Sequence, residues 1–209
     1  MNTVCFFDTE TTGLPDFKAP SDAPQQPHIV QIGAVLVDVD AGEILSTLDV
    51  TIRPDGWTIP DEAAAIHGIT TERALAVGVP EELAVRMLWA MCEGRLRVAH
   101  NRQFDDRIVR IGMTRHRVAL GEQMAEDWKA GSGQCTALLA KPLMQLPPTE
   151  KMRAAGFNTF KTPTLAEAVS HFCGREHADA HTALADALGC MDVWMAMRSE
   201  DAGLAKRAA

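Results

Sequence analysis

The stretch TVCFFDTETTGLP, residues 3–15, decides how the chain is read. Residues 3–8 are short and apolar and end on an acid, as a buried strand does when it reaches the surface. TTGLPD follows as a Gly/Pro turn. In a strand, residues i and i+2 point the same way, so Asp8 and Glu10 aim two carboxylates at one spot. Two like charges that close are costly unless a cation lies between them. Hard oxygen ligands suit Mg²⁺ or Mn²⁺ rather than zinc. A D-x-E pair by itself is expected about once by chance at this acid content. The apolar strand before it and the turn after it give it weight.

Outward from that stretch, residues 15–27 hold four prolines and read as an exposed loop. Residues 28–38 (HIVQIGAVLVD) are β-branched and nearly all apolar, which predicts a central strand. Residues 44–52 alternate, with Leu48, Val50 and Ile52 on the buried face, and pair antiparallel if the turn before them is tight. Short helices follow at DEAAAIHG and after Thr70. A longer one spans residues 80–93, with Leu83, Met87 and Leu88 as its apolar face. RLRVAH (95–100) is strand-like. Residues 102–114 form a basic amphipathic helix, with Phe104, Ile108 and Ile111 inward and Arg102, Arg107 and Arg110 around it. Residues 118–134 are ambiguous. Residues 135–144 and 164–173 read as helices, and 182–198 as the last helix, with Leu184, Leu188, Met191 and Met195 as its stripe. Three strands, then alternating helix and strand, then helices, is an α/β pattern with a mixed sheet. No linker appears, so residues 1–209 read as one domain, with a core at about 3–198 and a short frayed tail from Ser199.

Composition narrows the function. The chain of 209 residues is 46% hydrophobic and 23% charged, a globular mix. No apolar run is long enough to span a bilayer, and the start MNTVCFFDTE lacks the basic region of a signal peptide. Five cysteines without a C-x-x-C read as reduced thiols of a cytoplasmic protein. The net charge of −8 argues against gripping long nucleic acid through many phosphates. Residues 95–117 nonetheless carry seven arginines against Asp105 and Asp106, a local net of +5 that would steer a single strand.

Further acids sit where elements begin. Asp105 falls on the first turn of the basic helix, with Asp106 competing for the same role. His181 and Asp186 form an H-x-x-x-x-D pair, but so do His100 and Asp105, and spacing alone does not choose. Residues i and i+5 of one helix stand ~140° apart. His181 and Asp186 therefore converge best if the histidine lies just before the helix. Carboxylates that converge from distant segments can hold two metals, which activate water and stabilise a leaving oxygen in phosphodiester hydrolysis. A histidine near neutrality can take the water's proton.

Three motifs, in order, are FFDTETTGLP (6–15), VAHNRQFDDRIV (98–109) and AHTALADALG (180–189). IVQIGAV (29–35) and IPDEAAAIHGIT (59–70) lie between them. Together they resemble the DnaQ-like 3′–5′ exonucleases, the family of the proofreading epsilon subunit of bacterial DNA polymerase III, over roughly residues 4–195. The second motif resembles the family's A-H-N-x-x-F-D-x-x-x-L and the third its H-x-A-x-x-D. The resemblance implies a ribonuclease H-like α/β fold, a five-stranded mixed sheet flanked by helices. It implies two divalent ions, Mg²⁺ or Mn²⁺, held by Asp8, Glu10, Asp105 and Asp186, with Asp8 bridging and His181 as general base. Asp105 is preferred to Asp106 because it follows Phe104 in the motif. One branch of the family uses tyrosine in place of the histidine; this chain has no tyrosine and falls in the histidine (DEDDh) branch.

The resemblance further implies that Thr11, Thr12, Gly13 and Leu14 contact the terminal 3′-nucleotide, Leu14 as a wedge, joined by His67, Asn101 and Phe104. The expected activity is release of nucleoside 5′-monophosphates from the 3′ end of DNA, favoured over RNA and single-stranded. The alternatives are an exoribonuclease like ribonuclease T or oligoribonuclease, and a catalytically silent nucleic-acid-binding module. The epsilon subunit has an extra C-terminal segment for its polymerase, whereas this chain ends about 23 residues after Asp186. A transient polymerase or repair partner is thus expected in place of a stably bound one, with no membrane association.

Overall fold

β1 (Thr3–Thr11) runs through the middle of the sheet, and its two faces organise the molecule. The computed structural model describes residues 1–178 and 180–207, with side chains as far as Ser199. β2 (Ile29–Asp38) pairs antiparallel with β1, and β3 (Glu43–Thr51) antiparallel with β2. β4 (Leu96–Ala99) lies parallel on the other side of β1, and β5 (Gly133–Cys135) parallel to β4. The order β3-β2-β1-β4-β5 is the expected five-stranded mixed sheet. β5 came from the ambiguous 118–134 region and its edge, because three residues are too few to show a period.

Helices cover both faces. α1 (Asp61–His67), α2 (Thr71–Val77) and α3 (Glu81–Cys92) precede β4. α4 (Arg102–Arg115), α5 (Arg117–Leu120) and α6 (Met124–Ala130) lie between β4 and β5. α7 (Thr136–Met144), α8 (Glu150–Ala154), α9 (Leu165–Cys173) and α10 (Ala183–Arg207) complete the described chain. Their ends follow local chemistry. The Thr70 hydroxyl accepts from the Arg73 amide, and Thr164 and Glu167 form a reciprocal capping box.

Alternation along β1 sends Cys5 and Phe7 toward α3 and α4, and Val4 and Phe6 toward α10. Phe7 packs edge-on to Trp128 of α6 at 5.4 Å, and Phe6 edge-on to Trp194 of α10 at 5.5 Å. Two consecutive residues thus anchor the two helical layers, each worth about 3–5 kcal/mol on truncation to alanine.

Several sequence expectations are corrected. Leu83 and Met87 are exposed; α3 buries Glu81, Ala84, Val85, Leu88 and Cys92 instead, a helical face offset by one residue. The stripe of α10 is only partly buried, because the small and aromatic Ala187, Cys190 and Trp194 take the centre of the contact. α10 continues past Ser199 to Arg207, and the rest of the expected tail, residues 208–209, lies outside the described residues. Arg107 is buried, not on the solvated face, and donates to the Ser21 hydroxyl and the Asp16 and Ala19 carbonyls. It pins the proline-rich loop, which Gln26, itself buried, ties together through the Asp16 and Pro20 carbonyls.

α10 approaches the sheet backbone closely at Gly33, opposite Asp8 in the β1–β2 register. A Cβ there would lie 2.1 Å from the Ala183 carbonyl carbon and 2.2 Å from the Leu184 amide nitrogen. Backbone on backbone leaves no soft side chain to yield. Gly33→Ala is therefore expected to destabilise the protein by about 3 kcal/mol or more, the upper range for overpacking, measured by urea unfolding. A loss below about 1 kcal/mol would contradict this packing.

Candidate active site

Asp8 and Glu10 sit at the carboxyl end of β1 on the face covered by α10. β4 pairs with β1 only as far as Phe6, so beyond it the edge of β1 toward β4 is free. Thr9 uses that edge: its amide (3.0 Å) and hydroxyl (2.8 Å) both donate to one oxygen of Asp105, on the first turn of α4. Asp186 arrives from the opposite layer on the first turn of α10. Gln31, paired with Glu10 across the sheet, accepts from the Ala183 amide at 3.1 Å and so holds the start of that helix. Each helical layer thus delivers one carboxylate to the end of the strand that carries two.

Asp105 and Asp106 part company here. Asp105 is buried against Thr9, whereas Asp106 turns away to Arg102 at 2.8 Å. Asp8 is pushed well above the ordinary carboxylate range by burial and then by the charges of Asp105, Asp186 and Glu10. Burial and the charge of Asp186 push Glu10 up to about 7. Burial also raises Asp105, although the Thr9 hydrogen bonds pull the other way. Among the described residues no lysine or arginine is ion-paired with any of the four. Four converging oxygen donors that repel one another, without a cation from the chain, fit hard divalent ions. Ligand atoms of Glu10, His181 and Asp186 lie within 4.8 Å of one another.

Four histidines surround this centre in different ways. His181 is exposed at its mouth, just before α10, as the motif geometry requires. His177, absent from the expected site, has its side chain covered and bonds an Asp186 oxygen at 2.5 Å. Gly189 makes room for it, since a Cβ there would come within 2.8 Å of the His177 ring. Both ring nitrogens of His100 are taken up by the Thr136 hydroxyl and the Pro163 carbonyl rather than by Asp105. His67 is buried, accepts from the Ile69 amide on Nδ1, and turns toward the backbone of Thr11.

A cavity of about 380 Å³ opens beside Glu10. Thr11, Thr12, Gly13, Leu14, His67 and Phe104, all expected to meet substrate, line it. Asn101 does not; it lines a neighbouring cleft on the other side of the start of α4. The turn that walls the cavity is stapled by the Thr11 hydroxyl to the Gly13 carbonyl and by reciprocal Thr12–His28 bonds. Leu14 is 86% exposed at its rim, and Ile66 59%. Left-handed backbone, rare outside glycine, occurs at Asn101 (φ 62°) and His181 (φ 69°), each at the entry to a helix that bears an acid of the site.

Thr9, Gln31 and His177 were missed. Gln31 left a trace, as a lone amide in an apolar strand; His177 left none, because its distance from Asp186 matches no helical or strand period.

Residues 5–194 match the exonuclease family RNase_T. Among solved structures, E. coli exonuclease I in complex with a dT13 oligonucleotide superposes with a TM-score of 0.70 at 18% identity, covering 99% of this chain and 43% of that one. The zinc-bound form of the E. coli exonuclease I–single-stranded DNA complex gives 0.65 at 20% identity, over 95% of this chain and 41% of that one. The chain thus spans about two fifths of those proteins, and at this identity the likeness is one of fold, the ribonuclease H-like arrangement expected from the motifs. No curated protein matches the sequence.

The electrostatics give a stability test. Glu10 is raised from 4.5 to about 7, so between those values the folded chain binds more protons than the unfolded one. Its contribution is fully present below its unfolded pKa and is lost as pH rises through about 7. In EDTA, the Glu10 share of Tm should be lost between about pH 5 and pH 7, and Glu10→Gln should flatten that fall. Mn²⁺ should raise Tm more at the higher pH. Equal slopes in the two proteins would remove Glu10 as the cause.

Proposed function

The chain belongs to the exonuclease family, and from that premise we propose that it removes nucleotides from the 3′ end of single-stranded DNA by metal-dependent phosphodiester hydrolysis. The observation that carries this reading is the convergence of Asp8, Glu10, Asp105 and Asp186, from three separate segments, beside the cavity walled by residues 11–14. These four acids would hold two divalent ions, Mg²⁺ or Mn²⁺. When bound, such ions supply positive charge against the scissile phosphate and acidity to a water near it.

The residues divide the remaining work. His181, exposed and close to Glu10 and Asp186, takes the proton from the attacking water. The water oxygen bonds to phosphorus, the bond from phosphorus to the 3′-oxygen breaks, and that oxygen is protonated from solvent. The product is a nucleoside 5′-monophosphate. The stapled turn at residues 11–14 and Phe104 hold the terminal nucleotide, with Leu14 wedged against its base and His67 behind the turn. Thr9 fixes one oxygen of Asp105, which leaves the other to face the site.

DNA is favoured because the exonuclease I structures that share the fold are complexes with DNA oligonucleotides. An exoribonuclease is the competing reading, since the 2′-hydroxyl is what separates the two sugars. A silent binding module is disfavoured by the presence of all four acids and the histidine. We take residues 1–209 as one exonuclease domain. Among the described residues no helix is long and apolar enough to cross a membrane. Free cysteines throughout agree with a cytoplasmic setting. Any polymerase or repair partner would be transient.

The test uses 5′-labelled single-stranded DNA and matched RNA, with Mn²⁺ or Mg²⁺ and with EDTA. A metal-dependent ladder shortening from the 3′ end, faster on DNA, is expected. Asp8→Ala should abolish it, and His181→Ala should lower kcat by about 10²–10⁴-fold, the scale of a lost general base. Full activity of Asp8→Ala would sink the assignment.

A further inference from the structure

We propose that the cleft on the far side of the first turn of α4 is a second nucleic-acid subsite, which grips the strand 5′ of the nucleotide being removed. The proposal rests on the nuclease reading and adds a location and a chemistry to it. The cleft encloses about 500 Å³, and Phe17, Arg102, Arg107, Arg110 and Lys129 line it. It lies beside the nucleotide cavity along two segments. On α4, Gln103 faces the cleft and Phe104 the cavity; on the loop, Phe17 faces the cleft and Leu14 the cavity. A strand whose last base enters the cavity is thus led toward the cleft, and Arg110 lies about 9 Å further along α4 than Phe104 by the helical rise.

The charge is of the right kind, and Arg110 and Lys129 carry the share of it that is free to act, because Arg107 is held by the loop and Arg102 by Asp106. Four cations line the cleft against a single acid, Asp106, which Arg102 already neutralises at 2.8 Å. Arg110 donates only its Nε, to the Ser21 hydroxyl at 3.3 Å, and its two terminal nitrogens hold no partner among the described residues. Lys129 has only Glu126 at 3.8 Å, an exposed pair of small worth. In a chain of net charge −8 this concentration of cations is local. The wall is also fixed. Arg107 and Gln26 lock the loop that carries Phe17, so less ordering remains to be done on binding. Phe17 itself is 54% exposed in a polar loop, a surface on which a base can stack.

The test compares wild type with Arg110→Glu, Lys129→Glu, the double variant and Phe17→Ala. Two readouts are taken. The first is anisotropy of 5′-fluorescein-dT12 in EDTA, where no hydrolysis confuses binding, with rU12 as a second arm. The double variant should bind dT12 at least about tenfold more weakly, and its log–log salt slope should shrink by about 1.4, two phosphates' worth on a single strand. The second is the ratio of kcat/KM for dT12 over that for dT2, which should fall by about tenfold. An unchanged ratio together with an unchanged salt slope would overturn the proposal, and circular dichroism checks folding of each variant. A wild-type protein that never hydrolyses dT12, while the double variant still loses affinity and salt slope, would support the cleft and defeat the nuclease reading. That outcome keeps the two failures distinct.

Discussion

The first turn of α10 rests directly on the backbone of β2 at Gly33, and the placing of Asp186 depends on that contact. Gly33 stands opposite Asp8, so the helix is lowest where the acid of the central strand is nearest. Gln31, two residues away on the same strand, fastens the Ala183 amide. The two neighbours act together: one removes the bulk that would lift the helix, the other ties it down. On the opposite layer Thr9 does the equivalent for Asp105 with two donors to one oxygen. The four acids are therefore placed by backbone-level contacts, which are stiffer than any arrangement of long side chains.

The chain elsewhere shows how it treats a buried acid when the purpose is structural. Glu81 at the start of α3 accepts from Arg115 at 2.9 Å, from His116 at 3.0 Å and from the Ile29 amide. Burial pushes its pKa up, but the hydrogen bond from His116, the nearby His28 ring at 3.5 Å and the Arg115 charge outweigh that and hold it below the usual range. Asp8 and Glu10 receive no such arginine and are shifted the opposite way. Within one small protein, buried carboxylates are thus either matched by cations of the chain or gathered without them. The contrast makes the second arrangement a specific feature of the site rather than a habit of the fold. The paired aromatics, Phe6 on Trp194 and Phe7 on Trp128, immediately precede Asp8 on the same strand and anchor it between the two helical layers.

The parts that the sequence revealed are those written in local period or local spacing. The first strand, expected to end at Asp8 and in fact running on to Thr11, the alternation of Leu48, Val50 and Ile52, the cap at Thr70, and the motif order all carry that kind of signal. The choice of Asp105 over Asp106 rested on motif position, and the structure separates the two by their surroundings. What stayed hidden arises from contacts between distant segments. Arg107 looked like a solvated residue because its neighbours on the helix are, yet the partner that buries it is a loop about 90 residues earlier. His177 reaches Asp186 across a turn with no period to betray it. β5 is too short to announce itself, and the buried face of α3 was displaced by one residue because an acid, Glu81, belongs to it.

The left-handed backbone at Asn101 and His181 has a consequence for how this protein can be improved by selection. A side chain in that conformation costs roughly 1–2 kcal/mol that glycine does not incur. Asparagine adopts this conformation more readily than most residues, so a library screened only for heat resistance would be drawn toward glycine chiefly at position 181, where the gain in robustness would be taken from the imidazole itself. The same holds for neutral drift in a lineage that no longer needs the chemistry. On the proposed mechanism, position 181 would then mark function under maintenance: glycine in a related chain would go with a scaffold released from its task, and histidine with one that keeps the strain for the sake of the proposed base.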